Sequence, residues 1–396
     1  MGRAFSVCMC LSLALVALTL STATATAADS GLAALRGSGT QVPVGVAAVP
    51  KGFVAVGYEQ GTSGDPRPAV WTGNGNGHTW RRAATAPIPK ADDGTALVTR
   101  MAADAATGSH VVVVGSGETP RTDDKVGETP TSAEFWYGSP DGSLQLGDAD
   151  NSGFVLPSDW AFGLFEPLSV TAGHGLFIAG GTVYSPGNPG CSRPIIWGSG
   201  TEGHTWIALP LDVPAGGSGA VTSVAYSPHF GFLAVGETAS DDCGANAVPT
   251  LWQSDDGETW RQYTLPDGRT ATGVAASNDL VVVMGVAGQA ADSSGCDAVF
   301  WTSSDLQSWA STDDSTSERA EGATVLKDGS FVAFGSQCAQ DVATHPLAYT
   351  LAAGASKWKP VGLDRTNGVM YAGAPKGGDG YVIVGTRGSD GDVWWT

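Results

Sequence analysis

Apolar runs closing on glycine recur seven times along the chain. They are FVAVG (Phe53–Gly57), VVVVG (Val111–Gly115), LFIAG (Leu176–Gly180), FLAVG (Phe232–Gly236), VVVMG (Val281–Gly285), FVAFG (Phe331–Gly335) and YVIVG (Tyr381–Gly385). Their starts step forward by 58, 65, 56, 49, 50 and 50 residues. A short continuous apolar run fits a strand buried on both faces. Units repeating at this period must stack, because one unit cannot bury its own apolar face. The fourth unit predicts four strands, at Ala220–Ser227, Phe232–Glu237, Pro249–Gln253 and Thr259–Leu265, separated by turn residues. The pattern therefore predicts an all-β fold, a seven-bladed β-propeller of four-stranded antiparallel blades. The seventh unit stops one strand short. The spare segment Gly31–Gly37 is expected to complete that last blade and close the ring, which removes the open sheet edge.

Aromatic residues keep the same period. The third strand carries Trp71, Trp136, Trp197, Trp252, Trp301, Tyr349 and Trp395, and a second tryptophan follows at Trp80, Trp206, Trp260, Trp309 and Trp358. Such rings are expected to fill the wedges between blades rather than to hold a ligand. Proline precedes the third strand at Pro68, Pro194, Pro249 and Pro346, a position where no ladder donor is lost.

Residues 1–28 read as a secretion signal: Arg3, an apolar stretch from Leu11 to Leu20, and Ala25-Thr26-Ala27 as cleavage site. The remainder, 29–396, is expected to be one domain, secreted and monomeric. The sequence holds 20 Lys+Arg against 39 Asp+Glu, a net charge of −19. Removing the leader, with Arg3 and no acid, leaves −20, which disfavours nucleic acid. No later stretch is apolar for long enough to cross a membrane. No cofactor is expected. Calcium would need clustered oxygens, and no D-x-D-x-D-G loop is present.

The mature chain keeps Cys191, Cys243, Cys296 and Cys338, each placed between the second and third strands of its blade. An even count in a secreted chain points to disulfides. Cys191–Cys243 and Cys296–Cys338 join neighbouring blades, and Cys243–Cys296 is the rival. No CxxC pair supports zinc.

Between the third and fourth strands of blade four stands Asp255-Asp256-Gly257-Glu258-Thr259-Trp260. It resembles the Asp-box, or BNR, motif of sialidase-like propellers, S/T-x-D-x-G-x-T-W, with Asp255, Gly257, Thr259 and Trp260 at the motif positions and Gln253 replacing the opening residue. Blade one keeps Gly77-His78-Thr79-Trp80. Blade three keeps Ser199, Gly203, Thr205 and Trp206, and blade five keeps Thr302, Ser308 and Trp309 with Leu306 in place of glycine. The box implies a turn that anchors a hairpin, away from any catalytic face. Sialidases of this superfamily use an arginine triad, a Tyr–Glu nucleophile pair and an Asp acid. The resemblance would assign Arg100, Arg193 and Arg365 to the triad and Tyr226 or Tyr371 to the nucleophile. The family's Arg-Ile-Pro signature is absent, because Arg67-Pro68 and Arg193-Pro194 lack the middle residue.

Ligands of propellers meet the face made by blade-to-blade linkers and second-to-third-strand loops. At the start of the inner strand most blades place a small residue, Gly45, Ser169, Ser223, Gly273, Thr324 or Gly368, whereas blade two places Arg100. That arginine could clamp a carboxylate or pair with a nearby acid. The linker into blade three holds Trp160, Phe162, Phe165 and Glu166, either a sugar platform with a general acid or a plug over the channel. Asp92 and Asp93 are further candidate acids, and Arg365 a further candidate cation. No HExxH, Gly-x-Ser-x-Gly or phosphate loop occurs. The leading expectation is a non-catalytic scaffold binding an extracellular glycan or protein ligand. The alternative is a glycoside hydrolase.

Overall fold

The computed structural model describes residues 31–37, 39–61, 66–83, 98–107, 110–118, 131–152, 154, 163–185, 188–213, 217–240, 247–266, 270–286, 298–313, 318–339, 342–363, 368–378, 380–388 and 390–396. Seven antiparallel sheets form a seven-bladed β-propeller. The inner strands are Thr40–Val49, Val98–Thr107, Leu164–Gly173, Ser218–Ser227, Thr270–Ala276, Glu318–Val325 and Val369–Pro375. Each pairs with a second strand, which pairs with a third and then a fourth. Blade three carries one strand more than the repeat predicts. Asp148–Asp150 lies parallel to the start of its fourth strand, from Thr205 to Ile207.

Ring closure follows the sequence expectation. Gly31–Ala34 pairs antiparallel with Asp390–Trp395, with Gly31 opposite Trp395 and Ala34 opposite Asp392. The Leu35 N–H donates to the Gly391 carbonyl at 2.7 Å. The Trp71 indole donates to the Arg36 carbonyl at 3.0 Å, so the closing segment is also tied to blade one.

The recurrent glycine has a steric cause. Every inner strand carries one extra residue, at Val44, Asp104, Leu168, Thr222, Thr272, Glu321 and Tyr371. In six blades this bulge begins at the residue facing the second-strand glycine. There the inner-strand carbonyl lies against the glycine Cα. A Cβ on Gly57, Gly181, Gly236, Gly285, Gly335 or Gly385 would overlap the carbonyl oxygen of Val42, Glu166, Ala220, Thr270, Arg319 or Val369. In blade three this residue is Gly181, one later than the glycine that closes the apolar run. In blade two Gly115 faces Met101, and the bulge falls two residues further along.

The third-strand aromatic points into the seam with the preceding blade. Trp71 packs with Val382 and Val384, Trp136 with Val54 and Val56, Trp197 with Val112 and Val114, and Trp301 with Leu233 and Val235. In blade seven the equivalent ring is Trp394, opposite Ile383 and buried to 3% exposure, rather than Trp395. Burial of large rings in seam after seam is a major apolar contribution to the ring's stability.

The turns between third and fourth strands add a second interlock. In blade four the capping acid is Asp256, not Asp255. Its Oδ1 accepts from the N–H groups of Thr259 at 2.7 Å and Glu258 at 2.8 Å, and from the Ser254 hydroxyl at 2.9 Å. Asp255 instead accepts from the Gln253 side chain at 2.7 Å. Blade five repeats the pattern with Ser303 and Asp305, not Thr302. Blade one repeats part of it with Asn74 and Asn76. The following tryptophan donates back to the carbonyl three residues earlier, at 2.7 Å in Trp80, 3.0 Å in Trp206 and 3.2 Å in Trp260 and Trp309. The turn glycine also touches the preceding blade. A Cβ on Gly203 would stand 2.7 Å from Val112 Cγ2, at a φ of +87°. Leu306 takes the same left-handed conformation, φ 62°, and buries its side chain in the seam instead.

Deleting residues 29–38 exposes the edge of Asp390–Trp395 and should sharply lower the melting temperature; unchanged melting would contradict closure by this strand. The backbone bonds from Thr259 and Glu258 hold the Asp256 carboxyl down at about 2, against roughly 3.9 in an unfolded chain. The folded group is the stronger acid, so its contribution is complete above about pH 4 and is lost as pH falls through about 2. Asp256→Asn should therefore lower the melting temperature at pH 7, with the gap to the parent closing by about pH 2. A gap independent of pH would show that the charge has no part in the turn.

Candidate functional site

The bulges set what faces the central channel. A cavity of about 130 Å³ is lined by Val44, Leu168, Thr222, Thr272, Glu321 and Tyr371, the extra residues of six inner strands, together with their small neighbours. Hydroxyls knit successive strands across it. Thr222 donates to the Ala271 carbonyl at 2.6 Å, and Thr272 to the Ala320 carbonyl at 3.2 Å. Ser169 accepts from the Val224 N–H at 3.2 Å and Ser223 from the Val274 N–H at 3.3 Å, so these N–H groups find partners on the neighbouring blade.

Register corrects the expected row of small residues. Gly45, Ser169, Ser223 and Gly273 stand at equivalent positions, but blades six and seven place Gly322 and Ala372 there, not Thr324 and Gly368. In blade two the equivalent is Ala102, opposite Val114. Arg100 lies two residues nearer the loop face, opposite Ser116, level with Glu166 opposite Thr182 and with Arg319 opposite Ser336. The Arg100 side chain lies outside the described residues.

From blade three to blade six, the loop-face end of the ring carries carboxylates each bonded to a donor. Tyr184 hydrogen-bonds Glu166; burial, with the nearby charges of Glu166 and Glu237, pushes this phenol far above its ordinary range. Thr270 of blade five donates to Glu237 of blade four at 2.6 Å. The Tyr349 hydroxyl donates to Glu318 at 2.5 Å. Arg319 Nε lies 2.8 Å from Glu321 Oε1. Burial raises Glu321 above the usual carboxylate range, although Arg319 opposes the shift. In blade two, Glu134 is likewise raised by burial while the Ser132 hydroxyl donates to it at 2.5 Å. Acceptors and donors alternating in this way suit a polyhydroxylated surface. Glu321, half-buried beside the channel, is thus pulled both ways, up by burial and down by the Arg319 guanidinium.

Of the residues singled out in the sequence, Glu166 belongs to this arc. Asp92, Asp93, Trp160 and Arg365 lie outside the described residues. Phe165 does not cover the channel. It packs edge-on against Trp197 and Phe154 in the seam between blades two and three, with ring centroids at 6.5 and 6.0 Å. Tyr226 stands at the far end of its inner strand against Phe232, whereas Tyr371 lines the channel. Arg193 sits on the third strand of its blade, opposite Val183, away from the inner row. Cys191 is buried, disulfide-bonded, and part of the third strand Asn188–Ser199 rather than a loop. Cys243, Cys296 and the Cys338 side chain lie outside the described residues. Among the described residues no group of three or more His, Cys, Asp or Glu is placed to hold a metal.

Tyr184, Glu237, Thr270, Glu318 and Glu321 are not singled out by the sequence as site residues, and Tyr349 is read there only as a packing ring. A signal was present for some of them. Glu237 directly follows the repeat glycine Gly236, and Glu318 opens an inner strand in which Glu321 is the extra residue.

No family model matches the sequence, and no curated protein matches it. Solved structures do resemble it. Trypanosoma rangeli sialidase in complex with the inhibitor DANA aligns with a TM-score of 0.50 and 10% identity, over 93% of this chain and 60% of that one. The GH93 α-L-arabinofuranosidase of Fusarium graminearum, in complex with arabinobiose, aligns with a TM-score of 0.50 and 12% identity, over 80% of this chain and 98% of that one. A Dyadobacter fermentans protein of unknown function aligns with a TM-score of 0.49 and 12% identity, over 92% of this chain and 97% of that one. The chain thus spans about three fifths of the length of the trypanosomal sialidase. At these identities the likeness is one of fold: the chain is similar to sialidase and GH93 propellers in architecture.

Proposed function

We propose that this chain is a secreted, monomeric propeller of the sialidase-like, Asp-box kind that binds a hydroxyl-rich ligand, a glycan or a glycosylated protein surface, on its loop face without turning it over. The observation that carries this reading is the run of carboxylates from Glu166 to Glu321, each bonded to a phenol, a hydroxyl or a guanidinium. Such groups present fixed acceptors and donors to the hydroxyls of a ligand. Two-carboxylate hydrolysis instead needs two acids set on opposite sides of one scissile bond. A second reading, glycoside hydrolysis, is favoured by the pairing of Tyr184 with Glu166 and of Tyr349 with Glu318, the kind of Tyr–Glu pair that the sialidase resemblance gives to the nucleophile, and by the position of Glu321 beside the channel. The fold likeness to sialidase and arabinofuranosidase propellers is compatible with both readings.

A glycan array probed with the secreted protein, run beside assays on aryl glycosides, separates them. The binding reading predicts retention of defined glycans, a loss of about tenfold in affinity on Glu166→Gln, and no turnover. Turnover abolished by Glu321→Gln or Arg100→Ala would overturn it in favour of the hydrolase.

A further inference from the structure

On the face opposite the loop face, the seam between blades one and two departs from its neighbours. In the seam between blades seven and one, His78 of the turn rests on Trp395, with ring centroids at 4.6 Å. Between blades two and three, His204 stacks on Tyr137 at 3.9 Å. Trp395 faces Val382 across its ladder and Tyr137 faces Val112; the residue at that register in blade one is Thr72, facing Val54. The turn meeting it from blade two, Ser139 to Leu144, is also shortened. Between Gly142 and Leu144 it has only Ser143, where blade one has His78 and Thr79 ahead of Trp80. Leu144 fills the base of the seam with Val54, Val70 and Trp136. Among the described residues this ring pair stands in those two seams alone: at the Thr72 register blades three to six carry Gly198, Gln253, Thr302 and Thr350, and between blades three and four Trp260 packs beside Phe232.

Between Thr72 and the shortened Ser139–Leu144 turn lies a cavity of about 710 Å³, within the size range of small-molecule sites. Val49, Pro50, Trp80 and Pro140 give it an apolar wall, and Trp80 lies flat on the bare backbone of Gly73. Thr72 lines it with a hydroxyl oxygen that is buried and has no partner among the described residues. A buried polar atom of this kind calls for a ligand or water. Lys51 and Arg81, both exposed, bring two cations to the lining of a protein whose net charge is −19. Asp141 is the opposing acid, already held by the Ser139 hydroxyl and the Ser143 N–H at 2.6 and 2.9 Å.

We propose that this seam is a second binding site, for a planar aromatic molecule bearing one anionic group. Its ring takes the place of the missing stacked pair, its polar edge meets the Thr72 hydroxyl, and its anion meets Lys51 and Arg81. The site stands apart from the loop face and does not depend on what binds there.

Titration of the full chain with 8-anilinonaphthalene-1-sulfonate, an aromatic anion whose fluorescence reports burial, tests the proposal. Saturable one-site binding is expected, weakening as salt rises. Thr72→Tyr, which restores the ring of blades two and seven, should abolish it. The surface double variant Lys51→Glu with Arg81→Glu should weaken it about tenfold or more while leaving the melting temperature in place. Absence of saturable binding in the parent, or affinity unchanged in the charge-reversed variant, would overturn the proposal. Should Thr72→Tyr fail to fold, the charge-reversed variant alone decides. Loop-face ligand binding should be unaffected in that variant, so failure here is distinguishable from failure of the loop-face reading.

Discussion

A peptide carbonyl pressed against a bare Cα organises the ring. An extra residue in an inner strand bends it and turns side chains such as Thr222, Thr272, Glu321 and Tyr371 toward the axis. The same bend drives the carbonyl before the bulge into the second strand, where only glycine leaves room. The channel lining and the glycine repeat are therefore two sides of one device. Its cost is a strand interior weakened by glycine. That cost is offset by the buried apolar residues beside each glycine and by the third-strand rings that fill the seams.

This device accounts for what could and could not be read from the sequence. The glycine was visible because in six blades a side chain there would overlap the inner-strand carbonyl, and the tryptophans because a large ring fills a wedge well. Closure by Gly31–Ala34 was legible from the count of strands in the last blade. The bulge was not, because the extra residue has no preferred type: valine, aspartate, leucine, threonine, glutamate and tyrosine all serve. Without it, alignment of the inner strands slipped, so that Thr324 and Gly368 were matched to a row that runs through Gly322 and Ala372. Similar one-residue slips separate Asp255 from Asp256 and Trp395 from Trp394. In each case two like residues stand side by side, and only hydrogen-bond geometry or register says which one faces the partner.

Chemistry was less legible than architecture for a related reason. Loop-face groups come from different strands of different blades, as when Thr270 of blade five reaches Glu237 of blade four. Their nearness is a product of ring closure and leaves no local motif. Glu166 was found because its linker is unusual in composition; Glu321 was missed because its neighbours look like any strand. The opposite face obeys the same logic in reverse. The seam beside Thr72 differs from the seams on either side of it through a shortened turn and a ring pair that it lacks, and both are seen only once the blades are aligned.

The ring depends on glycine wherever the bulge carbonyl meets the second strand. Urea unfolding of Gly236→Ala and Gly335→Ala, set beside Gly362→Ala at a site open to solvent, tests this directly. Each of the first two should lose about 1–3 kcal/mol or more, as overpacked sites do, while the third should stay within about 0.5 kcal/mol of the parent, as surface substitutions do. Gly236→Ala unfolding at the same midpoint as Gly362→Ala would contradict the account.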